Sequence, residues 1–226
     1  MKDLSIFILI GTLLSVVLLM TGCVEDPLER AVRRAVAQPV FETEEQKQAY
    51  VDSLNGIRHF KNEWMAQNDS SPIKDNERDT FTGLDYYPVD LDYVFRTRLH
   101  TYEDPESLTI GTTTGDEREV IRYGYIDFTV DGQDARLHAY KFTAHKGTDL
   151  EEYLFIPFKD ATSGTETYHG GRYLDVKEEI PGVVLIDFND AYNPYCVYNE
   201  IYSCPIPPDE NHVDVAIRAG EKMYTN

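Results

Sequence analysis

The sequence predicts a mainly β, α+β domain: an N-terminal helix followed by an antiparallel sheet forming a sandwich or a partly open barrel. Three observations carry this. Apolar and polar residues alternate in short runs between Tyr93 and Phe188, the period of half-buried strands. Turn signals separate these runs every ~10–15 residues, and Asp131-Gly132 between two of them marks a tight hairpin. Only Phe41–Asn68 keeps a helical spacing over a long span.

The chain opens on an address. Ser5–Met20 is an uncharged run, and Met20-Thr21-Gly22-Cys23 follows it. An apolar segment ending in small residues is the pattern of a secretory signal. With Cys at its end it resembles a bacterial lipobox, in which Cys23 takes lipid and becomes the mature N-terminus. Residues 1–22 therefore read as a lipoprotein signal peptide. The alternative is an uncleaved membrane helix, but the run is shorter than the ~20 residues needed to span a bilayer. Either way the expected location is the cell envelope, held to a membrane and facing outside the cytoplasm.

Residues 23–40 read as a tether, with a short helix between Pro27 and Pro39. Residues 41–226 read as one β-rich domain. In its helix Thr43 suits the N-cap, and Glu44 and Glu45 suit the first turn. Tyr50, Leu54, Ile57 and Trp64 mark its expected inner face. Strands are expected at Tyr93–Leu99, Leu108–Ile110, Ile126–Val130, Ala135–Ala139, Tyr153–Phe158, Arg172–Val176 and Val183–Phe188, with Val213–Ile217 as the last.

Composition narrows the partners. The 226 residues are 42% apolar and 12% aromatic, enough to bury a core. Against 40 Asp and Glu stand 21 Lys and Arg, a net charge of -19. Removing the signal peptide takes away one Lys and one Asp and leaves that balance unchanged. So acidic a surface repels phosphate backbones, which excludes nucleic acid as an expected partner. It serves solubility first, with adaptation to salt or capture of cations as sharper alternatives.

Four blocks carry a family resemblance: Ser71–Asp90, Phe158–Asp175, Ile186–Tyr198 and Cys204–Lys222. Together they resemble the domain-of-unknown-function family 1684 (DUF1684) over roughly residues 45–224. The resemblance implies a single domain and brings no established reaction. After Glu210-Asn211 the family pattern more often has Arg, where this chain has His212.

Three clusters could carry chemistry. Cys196 and Cys204, outside the cytoplasm, are expected to form a disulfide. Free structural thiols, a reactive thiol and a metal site with His212 are the alternatives. The eight-residue spacing lacks the close pairs of zinc sites, so no metal and no cofactor is expected. The turn Asp160–Arg172 gathers hydroxyls, Glu166, Tyr168, His169, Gly170, Gly171 and Arg172, either to approach an anion or simply to turn. It lacks the order of a phosphate loop or a nucleophile elbow. The third cluster is Asp187, Asn189, Asp190 and Asn193, beside Tyr192, Tyr195, Tyr198 and Tyr202. Aromatic groups at a rim stack on flat ligands or cover a core edge.

Were strands 172–176 and 183–188 a hairpin, Arg172 would stand near Asp187. Tyr168, Arg172, Asp187, Asn189 and Asn193 would then frame a ligand pocket. The expected role is therefore an envelope lipoprotein binding a small ligand or partner. The rivals are an enzyme using Asp187, Glu166 or His169 for proton transfer, and a purely structural envelope module.

Overall fold

The computed structural model describes residues 26–225. The signal peptide and Cys23 lie outside the described residues. Two helices lead the described residues. Helix α1 (Pro27–Val36) starts at Asp26, whose side chain accepts from the Leu28 amide. It lies against the sheet within the expected tether: Val32 is buried and Glu29 pairs with Arg98. Helix α2 (Glu44–Gln67) begins with a capping box, in which Thr43 and Gln46 satisfy each other's backbone N–H groups.

The inner face of α2 differs from the expected one. Leu54 and Met65 are buried, but Ile57 is 59% exposed and Arg58 points inward instead. Burial is feasible for Arg58 because its guanidinium donates to the carbonyls of Tyr87 (2.9 Å) and Asn189 (3.1 Å) and lies over the Tyr86 ring. The helix is thus tied to two loops that precede and follow the sheet's strands.

Seven antiparallel strands form one curled half-barrel: β1 (Val94–Gly111), β2 (Glu117–Val130), β3 (Gln133–Phe142), β4 (Leu154–Phe158), β5 (Arg172–Val176), β6 (Glu178–Ile180) and β7 (Val183–Asp187). Their spatial order is β5-β4-β3-β2-β1-β7-β6. The partly open barrel is the alternative that holds; among the described residues there is no second sheet to make a sandwich. Tyr93–Leu99 and Leu108–Ile110 belong to one long strand, interrupted by a register shift between Thr101 and Glu106. Asp131 and Gly132 both take positive φ in the β2–β3 turn, as a tight hairpin requires.

Curvature has a local cause. An extra residue, Tyr123, enters β2 between Arg122 and Gly124, and a bulge of this kind bends and twists its strand. Gly124 sits where a Cβ would lie 2.5 Å from the His100 carbonyl oxygen, so only glycine lets β1 and β2 approach there.

The concave face holds the core. Leu99, Ile126, Leu137, Ile156, Leu174 and Ile186 point inward from six strands. Phe188 lies among the rings of Phe128, Phe158, Phe95 and Tyr93, with centroids 5.3–6.5 Å away.

Val213–Ile217 is not a strand. Val215, Ile217 and Ala219 alternate into the core as a strand would. The first half of the segment meets the chain after β4 in an isolated parallel bridge, through Val213 N–H to Lys159 C=O and Ala161 N–H to Val215 C=O (both 2.9 Å), but at Ile217 the backbone bonds go to side chains. Asp160 accepts from the Ile217 amide (2.7 Å), and Arg172 donates to the carbonyls of Ile217 (2.8 Å), Ala219 and Glu221 (3.2 Å). The C-terminal segment is a plug clamped by one buried ion pair.

Candidate functional site

The expected hairpin between Arg172–Val176 and Val183–Phe188 does not exist. β5 pairs with β4, while β7 lies between β1 and β6 at the other side of the sheet. The free edge of β5 is covered by a downstream loop through Tyr173 and Tyr192, which exchange backbone hydrogen bonds of 2.9 and 3.1 Å. The residues expected to frame a pocket are thereby dispersed.

Arg172 is 1% exposed and faces Asp160 at 3.5 Å. It holds the C-terminal plug. Asp187 accepts from Tyr50 Oη at 2.5 Å and caps the following turn through the Asn189 amide. Asn189 is buried and spans to the backbone N–H and C=O of Asp90. Asn193 is buried too, donating to Glu221 and to the Lys222 carbonyl.

Among the acid–base candidates, Glu166 is gripped by Arg218 (2.9 Å), which holds its carboxyl below the usual range, and it also accepts from Tyr87 Oη. His169 is exposed with its ring against Tyr168. The glycines of this turn serve packing: Gly171 has φ +94°, and a Cβ there would meet the Phe158 carbonyl oxygen at 2.5 Å.

Cys196 and Cys204 stand side by side as free thiols, so the structure does not contain the expected disulfide. The Cys196 amide donates to Cys204 Sγ at 3.2 Å. A hydrogen bond from the Cys204 thiol, helped by Thr113 and Tyr168, lowers the Cys196 pKa to about 6 against the effect of burial. The Tyr168 hydroxyl is pushed up to about 12, first by burial and then by Cys196. Among the described residues no three His, Cys, Asp or Glu side chains converge to hold a metal ion.

A different site emerges on the convex face of β4 and β5. In β5 Leu174 and Val176 point to the core, so Tyr173 and Asp175 point outward. Phe155 stands beside Tyr173 from β4, and Phe142 beside Phe155 from the end of β3. The loop after β7 adds Tyr192, Tyr195 and Tyr202. These rings line a groove of about 580 Å³ that also reaches Cys204. A second hollow of about 350 Å³ adjoins it, sharing Phe142, His145, Phe155 and Asp175.

The rings meet mostly at a tilt or edge to face. Centroids are 4.9 Å apart for Phe142 and Phe155, 4.8 Å for Phe155 and Tyr173, and 5.7 Å for Tyr173 and Tyr192. Tyr192 Oη donates to Asp175 Oδ2 at 2.5 Å. Asp175 is solvent-exposed, and partial desolvation against the rings raises its pKa despite that bond. The Tyr173 and Tyr192 hydroxyls are raised as well, chiefly by burial. At the rim, Lys61 Nζ lies 5.5 Å from the Tyr192 ring centroid and is neutralised by Glu221 at 2.6 Å.

The sequence pattern singled out the loop tyrosines but missed Tyr173, Asp175 and Phe155. Its one signal was the alternation Arg-Tyr-Leu-Asp-Val in β5, which puts an aromatic ring and a carboxylate on the same outward face.

Fold and groove define a curled antiparallel half-barrel carrying an aromatic-lined groove on its outer face. A model of the family described as protein of unknown function (DUF1684) matches residues 79–222, and the chain belongs to that family. The matched range begins after α2, later than the resemblance reaching back to residue 45 implies. The chain is also similar to an uncharacterised protein of Haloarcula marismortui whose solution NMR structure is known. The two are 33% identical, the match covers 80% of this chain and 97% of that one, and the TM-score is 0.60. No protein with a curated description matches the chain.

Proposed function

We propose that this protein is a lipid-anchored component of the cell envelope that binds a small organic ligand in the outer groove. The observation that supports binding is the groove itself: rings from three strands and one loop surround a concave space, with one solvent-exposed carboxylate at its side. Concave, mostly apolar sites with few polar groups are the usual form of small-molecule sites. Support for the anchor comes from the uncharged run Ser5–Met20 and the lipobox-like ending at Cys23.

Binding is tested with N-phenyl-1-naphthylamine, a neutral dye that brightens in apolar sites. A saturable, one-to-one rise in fluorescence is expected. It should weaken in Tyr195→Ala and in Tyr202→Ala, which remove two rings packed 5.3 Å apart on the groove wall. A dye signal untouched by both changes removes the groove as the site. The anchor is tested separately: Cys23→Ser should abolish incorporation of labelled fatty acid, and undiminished labelling rejects lipidation at that residue.

A further inference from the structure

The groove has a charge pattern that selects among ligands. Solvent-exposed Asp175 lies in it: among the described residues no Lys or Arg forms an ion pair with it, and it accepts a hydrogen bond from the neutral Tyr192 hydroxyl. The cation at the rim, Lys61, already faces buried Glu221, which is 1% exposed and also accepts from the Asn193 amide and the Tyr198 hydroxyl. His145, which shares both hollows with Asp175 and acts on it electrostatically without forming an ion pair, packs on the Phe142 ring at 5.1 Å. The rings of Phe155, Tyr173 and Tyr192 stand next to this carboxylate at steep mutual angles of 69° and 89°, so neighbouring rings turn their electron-rich faces in different directions. A carboxylate without a counter-ion beside several aromatic faces is the arrangement that recognises an organic cation.

Anions are disfavoured twice over, by Asp175 and by the field of a chain with net charge -19, which concentrates cations around it. The combined hollow, about 580 Å³ with a further 350 Å³ beside it, has room for a substituted ammonium carrying an apolar arm.

We propose that the groove binds an organic cation, an alkyl- or arylammonium, with its charge held between Asp175 and the ring faces and its apolar part along Phe142 and Phe155. The proposal rests on the groove being a ligand site. Acid protonates the Asp175 carboxylate and removes the charge that faces the cation, so binding should weaken as pH falls; His145, which lines the adjoining hollow, is the other titratable group facing it.

The test compares benzyltrimethylammonium with benzyl alcohol and phenylacetate, by calorimetry and by shifts of the groove tyrosine ring protons. The cation should bind at least about tenfold tighter than the alcohol, the size expected of a cation–π and carboxylate contact. Phenylacetate should bind weakest. In Asp175→Asn the advantage of the cation should fall by about tenfold, while N-phenyl-1-naphthylamine binds as before. That retained dye signal shows the variant is folded and the groove intact. Equal affinities for cation and alcohol, or a cation preference that survives Asp175→Asn, overturn the cation assignment and leave the groove standing. Such a surviving preference would mark diffuse attraction to the acidic surface, which added salt abolishes. Absence of dye binding in the parent protein overturns both the groove and the cation.

Discussion

Replacing Arg172 by Ala should unfasten the C-terminal plug and cost a large part of the protein's stability. Arg172 donates to three main-chain carbonyls, those of Ile217, Ala219 and Glu221, and faces Asp160, whose side chain is 0% exposed. The substitution leaves a buried carboxylate uncompensated, which alone costs about 3–5 kcal/mol. A domain of this size is stable by only ~5–15 kcal/mol, so the loss is a sizeable fraction. Urea denaturation followed by circular dichroism measures it. With an m-value of about 2.5 kcal/mol/M, the midpoint should fall by about 1–2 M. The plug should respond first, because the carbonyls of Ile217 and Ala219 lose a donor partner that no neighbouring strand replaces. Hydrogen exchange over residues 213–222 should therefore accelerate before that of β2 and β3. Adding Asp160→Asn removes the stranded charge, so the double variant should be less unstable than the sum of its parts by about 0.5–3 kcal/mol. A midpoint shift of Arg172→Ala below about 0.4 M, roughly 1 kcal/mol at that m-value, refutes the clamp.

That same residue shows where sequence patterns stop. Alternation located β1 to β5 and β7, and Asp131-Gly132 located the hairpin between β2 and β3, because strand period and turn chemistry are local. Thr43 could be placed at the start of α2 for the same reason: a cap is formed within four residues. Pairing is not local. The segments Arg172–Val176 and Val183–Asp187 are close in sequence and read naturally as a hairpin, but the short β6 intervenes and pairs with β7. The edge of β5 is met instead by Tyr192.

Burial of charge was equally hidden. Arg172 sits in a stretch of Ser, Thr and Gly that looks solvated, and Arg58 sits beside Ile57 on a helix where the apolar residue seemed the inward one. Each is buried because distant carbonyls satisfy its guanidinium, those of the C-terminal segment for Arg172 and of Tyr87 and Asn189 for Arg58. Val213–Ile217 failed in the opposite sense: its alternation truly marks burial, but its backbone pairing with residues 159–161 stops at Val215, and side chains of Asp160 and Arg172 take the bonds of Ile217. The groove drew its rings from four separated stretches, so no single motif announced it.

Other consequences follow from the same contacts. Asn211→Ala should destabilise by about 2–4 kcal/mol in urea, since its buried amide replaces ladder bonds between β3 and β4 through His138 N–H, His138 C=O and Pro157 C=O; a shift under 0.5 kcal/mol would show the gap closes without it. Partial desolvation, reinforced by Asp187, pushes the solvent-exposed Asp190 carboxyl up to about 6 although Arg58 and Lys61 oppose the rise. A folded-state pKa above the unfolded one means the ionised group destabilises, so Asp190→Asn should raise stability at pH 7, with the gain shrinking below pH 6 and gone near pH 4; a gain that does not vary with pH refutes the assignment. Finally, the thiols of Cys196 and Cys204 are poised for oxidation, because the first has thiolate character near pH 6 and the second lies against it. Oxidised glutathione should join them with the loss of two hydrogens by mass, and closing so short a loop should add about 2–3 kcal/mol of stability if the fold accepts it without strain. Cys204 lines the groove and Tyr168 leans on Cys196, so the same oxidation should change dye affinity, whereas Cys196→Ser should make that affinity insensitive to oxidant. Two alkylatable thiols persisting after oxidant treatment would show that the pair, though adjacent, is held apart by the loop.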